Sequence, residues 1–279
     1  MSKIEMSQIS AMNISYQFFS FEYFINSVAE IGFKSIDIWT GYPHFLVDKD
    51  FESQASIIRH RCDELGLAIN NVTPKVIGWP LNIADKNKKI RYAAIAYIKR
   101  CIDAAKIFGA PSLQLVPGTG LYDEPVADAW ELSKESLCVI AEYAGQRNVQ
   151  LVLEAIQIIE SNLVGNRIQL KKMIDEVNSP ILNAIVDTTH MEKNGENLDD
   201  YFNSLGEKIK RVHLNESDQL PWGEGHNPLN VYLRQLNHHS YRGPITIEIC
   251  SKQHYLNPHN SMRKTYDYVF DALQRQMEE

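Results

Sequence analysis

A closed (β/α)8 barrel is the fold class this chain predicts, on three observations. Short β-rich runs alternate with longer helical stretches along the whole length. Their strand ends fall near 39, 73, 116, 154, 187, 213 and 248, so successive ends stand 26–43 residues apart; a strand, a crossover helix and two loops need about 30 residues. No linker or composition break divides the repeats, and 279 residues suit one α/β barrel better than two domains. The chain is therefore expected to form a single barrel domain over 1–279.

The elements follow in order. Strands are expected over 5–10, 34–39, 67–73, 112–116, 149–154, 182–187, 209–214 and 244–249. Between them, segment 86–107 sets Ile90, Ala94, Tyr97, Ile98, Cys101 and Ala105 at three- to four-residue spacing, as one buried helical stripe requires. Segment 126–146 reads as a second long amphipathic helix. Gly32 and Gly109 each follow a helical run, where a left-handed residue is wanted. The competing open, doubly wound sheet usually carries a glycine-rich phosphate loop. This chain has no G-x-G-x-x-G, G-x-x-x-x-G-K-[ST], G-x-S-x-G or H-E-x-x-H. Nucleotide cofactors and serine hydrolysis lose their main sequence support.

Composition narrows the class further. With 44% hydrophobic and 23% charged residues the balance is globular, which excludes a disordered tail, a collagen or a disulfide-stapled miniprotein. A net charge of −7 argues against non-specific binding to nucleic acid or anionic lipid. Cys62, Cys101, Cys138 and Cys250 form no C-x-x-C pair and are expected as buried free thiols in a reducing compartment. The N-terminal MSKIEMSQISAMNIS lacks a cationic start followed by an apolar run. No stretch of about 18 apolar residues occurs either. A soluble cytoplasmic protein with no membrane and no nucleic-acid partner is the expectation.

The sharpest signal is how strands five to eight end. VQLVLE ends at Glu154, LNAIVD ends at Asp187, IKRVHL carries His213 and ITIEI carries Glu248. In a barrel, the C-terminal ends of consecutive strands surround the active site. Strand parity puts Asp187 on one face with Asn183 and Ile185, His213 with Arg211, and Glu248 with Thr246. Three carboxylates buried together need a counter-charge. A divalent cation supplies it. Three carboxylates and an imidazole form a hard, oxygen-rich set that suits Mn²⁺, Mg²⁺ or Co²⁺ in octahedral geometry, with two positions open for substrate oxygens. Asp37 and Arg211 also point inward and read as a buried ion pair below that site. Glu154 and Glu248 occupy the two ends of the arc. One carboxylate can remove a proton beside a carbonyl and the other can return one from the far face, inverting that carbon.

These residues resemble the xylose-isomerase-like superfamily of sugar isomerases and epimerases, with the nearest match among ketose 3-epimerases of the tagatose, psicose and fructoselysine type. The resemblance spans nearly the whole chain. It implies that Glu154, Asp187, His213 and Glu248 bind Mn²⁺ or a similar metal, and that Glu154 and Glu248 are the acid/base pair of an epimerase acting at C3 through a cis-enediolate. Asp187-Thr188-Thr189-His190-Met191 looks like the family's D-T-x-H-M segment, whose histidine polarises substrate oxygens. Glu160 falls where the family has a second substrate-contacting Glu. The loop 221–225 (PWGEG) resembles its turn after strand seven. The segments 36–45 (IDIWTGYPHF), 160–162 (ESN) and 201–206 (YFNSLG) look like the fructoselysine branch. His190 fits the free-ketose branch, and that branch carries Arg where this chain has Gln219. A small sugar is the implied partner, and homo-oligomers are frequent in the family.

Further pocket candidates are His190, three residues past Asp187, and an aromatic rim of Trp39, Tyr42 and His44. Trp79 after strand three and Trp222 after strand seven are candidate walls. Within the same fold, a keto–aldo isomerase of hydroxypyruvate type and a dehydratase of inosose type remain open. An apurinic endonuclease on this barrel would need more histidines on strands two to four, where this chain has none at the ends of strands three and four.

Overall fold

The computed structural model describes residues 3–76 and 81–278; Trp79 lies outside the described residues. Eight parallel strands close into a barrel in sequence order: β1 Ile9–Met12, β2 Ser35–Thr40, β3 Ala68–Pro74, β4 Ser112–Leu115, β5 Gln150–Glu154, β6 Leu182–Asp187, β7 Ile209–His213 and β8 Ile245–Ile247. Each strand pairs with its neighbours, and β1 pairs with β8 to close the ring. Nine helices among the described residues surround it: α1 Phe21–Ile31, α2 Phe51–Glu64, α3 Lys88–Phe108, α4 Val126–Gly145, α5 Arg167–Val177, α6 Thr188–Lys193, α7 Leu198–Leu205, α8 Leu229–His238 and α9 Pro258–Glu278.

The helices form because each offers one apolar stripe to the strands. In α3, Ala94, Ile98, Cys101, Ile102 and Ala105 are all buried. Fully burying each isoleucine is worth about 1.5–3 kcal/mol, offsetting the entropy of ordering the helix. The helix starts where the Asn87 side chain accepts from Lys89 N. It stops at Gly109, whose left-handed φ of 69° lets its N–H return to Ala105 and Lys106 carbonyls.

Most strand ends fall within one residue of expectation, and two strands depart by more. The first strand, expected over 5–10, runs Ile9–Met12. Residues Met6–Gln8 form a 3₁₀ turn instead: Glu5 N donates to Gln8 Oε1 and Gln8 N to Glu5 O, each at 3.0 Å, so these groups are spent locally. The last strand stops at Ile247 because Glu248 N donates to the Asn215 side chain at 2.9 Å rather than to the sheet. The thiols also differ: Cys62 and Cys101 are buried, but Cys138 is exposed and Cys250 half-buried.

Inside the barrel the expected ion pair is present. Arg211 Nη2 lies 2.5 Å from Asp37 Oδ2, with both side chains fully buried. Thr246 Oγ1 bridges them, accepting from Arg211 at 2.8 Å and donating to Asp37 at 2.7 Å. This polar layer forms the floor beneath the barrel's C-terminal mouth.

Candidate active site and metal centre

The four strand-end residues converge at that mouth. Glu154, Asp187 and His213 are the last residues of β5, β6 and β7, and Glu248 follows β8 by one. Register sets their height: Asp187 pairs with His213, and His213 with Thr246. His213 Nδ1 lies 3.7 Å from Glu154 Oε1, 3.7 Å from Asp187 Oδ2 and 3.3 Å from Glu248 Oε2. Yet neither imidazole nitrogen of this buried histidine has a hydrogen-bond partner. The imidazole thus faces three carboxylates without hydrogen-bonding to any of them.

That spacing fits a shared cation. An octahedral ion with bonds of about 2.1 Å sets neighbouring ligand atoms about 3 Å apart and opposite ones about 4.2 Å apart. Asp187, His213 and Glu248 each offer one ligand atom with all three within 4.8 Å of one another, and so do Glu154, Asp187 and His190. The orphaned His213 nitrogen, aimed at three carboxylates, is the atom a cation would satisfy.

Electrostatics reflects the crowding. Burial pushes the Glu154 carboxyl up to about 7; His213 and His190 oppose the rise, and the Asp187 and Glu248 charges add to it. Burial also works against the charge on Asp187, but His190 and His213 outweigh it and hold that carboxyl below its ordinary value. For His213, burial favours the neutral ring, but Asp187, Glu248 and Glu154 prevail and raise it well above the usual imidazole value. His190 is raised for the same reason, against burial, by Asp187, Glu154, Glu160 and Glu248.

A second layer of side chains orients the first. Gln114 on β4 donates to Glu154 Oε2 at 2.6 Å and itself accepts from Thr73 at 3.0 Å. Asn215, just beyond β7, donates to Asp187 Oδ2 at 2.7 Å while its Oδ1 accepts from Glu248 N at 2.9 Å. Asp187 Oδ1 caps α6, accepting from Thr189 N at 2.6 Å and His190 N at 3.2 Å. Sequence reasoning missed Gln114 and Asn215. Their parity with Ser112 and His213 was the available signal, because both sit on inward faces.

Above these groups opens a cleft of about 290 Å³, lined by Trp39, Lys75, Gln114, Glu154, Glu160, His190, Gln219, Glu248 and Cys250, among others. Asp187 and His213 lie beneath, nearly inaccessible. Glu160 presents a buried Oε2 with no hydrogen-bond partner. Trp39, His190, Glu160 and Gln219 are thus brought together as expected.

His44 and Trp222 are not; both are corrections. After β2, the backbone turns back on itself, with His44 N and Phe45 N donating to Gly41 O. His44 is thereby folded under the loop: Nδ1 accepts from Asn13 at 2.7 Å, and Nε2 donates to Tyr16 O and Phe19 O. Trp222 is 1% exposed, donates Nε1–H to Leu214 O at 3.0 Å and stacks on Tyr268. Both rings pack the fold and leave the cleft to others.

Comparisons with known proteins bear on this site. A family model described as "Xylose isomerase-like TIM barrel" matches residues 25–272. Among curated proteins, the chain is 28% identical over 234 residues to a fructoselysine 3-epimerase of Shigella flexneri, covering 82% of this chain and 84% of that one. It is 28% identical over 114 residues to an L-ribulose 3-epimerase of Methylomonas sp. (strain DH-1), 41% of this chain and 40% of the relative. Among solved structures, a D-psicose 3-epimerase superposes with a TM-score of 0.79 at 17% identity, covering 95% of this chain and 96% of that one. A 3-keto-D-glucoside 4-epimerase from E. coli gives 0.77 at 16% identity, covering 91% and 97%. The structural matches speak to the fold. With the family match spanning most of its length, the chain belongs to the xylose isomerase-like TIM barrel family.

Proposed function

We propose that this protein is a divalent-cation-dependent epimerase that inverts C3 of a ketose or ketose adduct. The observation that carries the reading is that Glu154 and Glu248, from opposite ends of the β5–β8 arc, both open onto one cleft. Glu154, Asp187, His213 and Glu248 would hold the ion, Mn²⁺ being the best match to the donor set, with Mg²⁺ or Co²⁺ as alternatives. When bound, the ion polarises the ketose carbonyl and offsets the charge that develops as the neighbouring carbon loses its proton.

The chain's own residues do the rest. One carboxylate of the Glu154/Glu248 pair takes the C3 proton, leaving a cis-enediolate. The other delivers a proton to the opposite face, so the proton count balances and the configuration inverts. Burial raises the basicity of Glu154, which suits proton abstraction near neutral pH. Gln114 and Asn215 keep the first layer in register. His190 and Glu160 face the sugar oxygens, and Trp39 offers an aromatic face to its C–H groups. The similarity to a fructoselysine 3-epimerase supports a ketosamine adduct as the first substrate to try.

The test is incubation of Mn²⁺-loaded protein with a ketose panel, including fructosamine adducts, in D₂O, followed by NMR. The proposal expects one deuterium at C3 of an inverted product. Label at C1 or C2 would indicate a keto–aldo isomerase, and an unsaturated product a dehydratase. Binding with no exchange would remove catalysis altogether.

A further inference from the structure

We propose that Gln219 is a positioning residue that aims Glu248 at the cation, and that the protein keeps a strained turn in order to do so. The inference rests on the reading of Glu248 as an ion-holding carboxylate. The turn lies in the loop after β7. Asp218 and Gln219 both adopt left-handed backbone, with φ of 53° and 52°. Neither is glycine, and a glutamine seldom enters this region. Two such residues in succession persist where their surroundings over-determine them.

The surroundings are specific. Gln219 N donates to Glu216 O at 2.9 Å, and Gln219 O accepts from Cys250 N at 3.1 Å and Ser251 N at 3.4 Å. These bonds tie the turn to the chain just past β8. With the backbone pinned, Gln219 Nε2 donates to Glu248 Oε2 at 3.2 Å. That oxygen is the one 3.3 Å from His213 Nδ1. The other oxygen, Oε1, accepts from the Cys250 thiol at 3.4 Å.

Glu248 needs such a clamp because β8 ends one residue before it, so strand pairing does not fix its side chain. Gln219 also suits the task chemically. A neutral amide orients a carboxylate by one donated hydrogen bond and leaves its charge for the ion. A right-handed φ at residue 219 would swing the amide away from Oε2.

The experiment is Mn²⁺ titration of the full chain, followed by the EPR signal of free Mn²⁺, beside thermal melts of the ion-free protein. Gln219→Met keeps length and backbone demand but removes the donor. Its Mn²⁺ affinity should fall about 10–100-fold with the melting temperature unchanged. Gln219→Gly removes the donor and accepts a positive φ freely. It should lose the same affinity while its melting temperature holds or rises. Wild-type Mn²⁺ affinity in Gln219→Met would overturn the proposal. So would a Gln219→Gly protein that melts lower yet binds Mn²⁺ normally, because that pattern belongs to a packing residue. If the wild type binds Mn²⁺ but exchanges hydrogen on no ketose, the positioning result stands and the epimerase reading falls.

Discussion

Replacing Asp37 by Asn tests the floor of the site. The substitution is nearly isosteric, so it removes charge and leaves shape. Asp37 and Arg211 are both fully buried and 2.5 Å apart. Arg211 retains Thr246 Oγ1 at 2.8 Å, Asn70 O at 3.1 Å and Ser112 Oγ at 3.4 Å, but no other anion within salt-bridge reach among the described residues. Its guanidinium cannot shed a proton to escape. An uncompensated buried charge of this kind costs about 3–5 kcal/mol, or a fall of about 6–20 °C in melting temperature for a chain near this size. Removing both charges in Asp37→Leu/Arg211→Met should cost far less than the sum of the single variants. Urea unfolding of the wild type, Asp37→Leu, Arg211→Met and the double variant gives the coupling energy directly. A loss below about 1 kcal/mol in Asp37→Asn would refute the argument, as would a double variant no better than the sum.

Three further outcomes are expected. Asn215→Leu unties Asp187 and the Glu248 backbone, so its Mn²⁺ affinity should fall about 10–100-fold by calorimetry while the fold persists. Ion uptake should release protons, because Glu154, at about 7, and His213, raised well above its ordinary value, hold protons in the ion-free site. Mn²⁺ affinity should therefore climb with pH and weaken as pH drops below about 7; a flat profile from pH 6 to 8 would contradict this. His44 is buried, which lowers its folded-state pKa below the ordinary 6.5. Its neutral form is the native one, so the unfolded chain gains the proton first, and stability declines as pH falls below about 6.5. His44→Gln should flatten that decline in urea melts at pH 7, 6 and 5.

The barrel was legible because repeated strand ends need only spacing and β-rich runs, and the convergence of Glu154, Asp187, His213 and Glu248 because strand parity orders side chains without knowing any loop. What lay beyond the strands was not legible in this way. His44 and Trp222 follow strand ends just as His190 does, yet backbone turns fold the first two into packing. The loop conformation decides this, and no periodicity encodes it. Gln114 and Asn215 share inward parity with Ser112 and His213, but a neutral amide leaves no charge pattern that sets it apart in the sequence. The left-handed pair Asp218–Gln219 had no glycine to mark it. The first strand moved because Glu5 and Gln8 close a local turn that competes with extended backbone.

The central claim is that Glu154, Asp187, His213 and Glu248 share one cation. Anomalous diffraction at the manganese edge, from crystals grown with Mn²⁺, tests it most directly. The account predicts one strong peak per chain, roughly 2.1 Å from an atom of each of the four residues, absent from Asp187→Asn crystals treated alike. A peak elsewhere on the chain, or no density between the four side chains at saturating Mn²⁺, would contradict it.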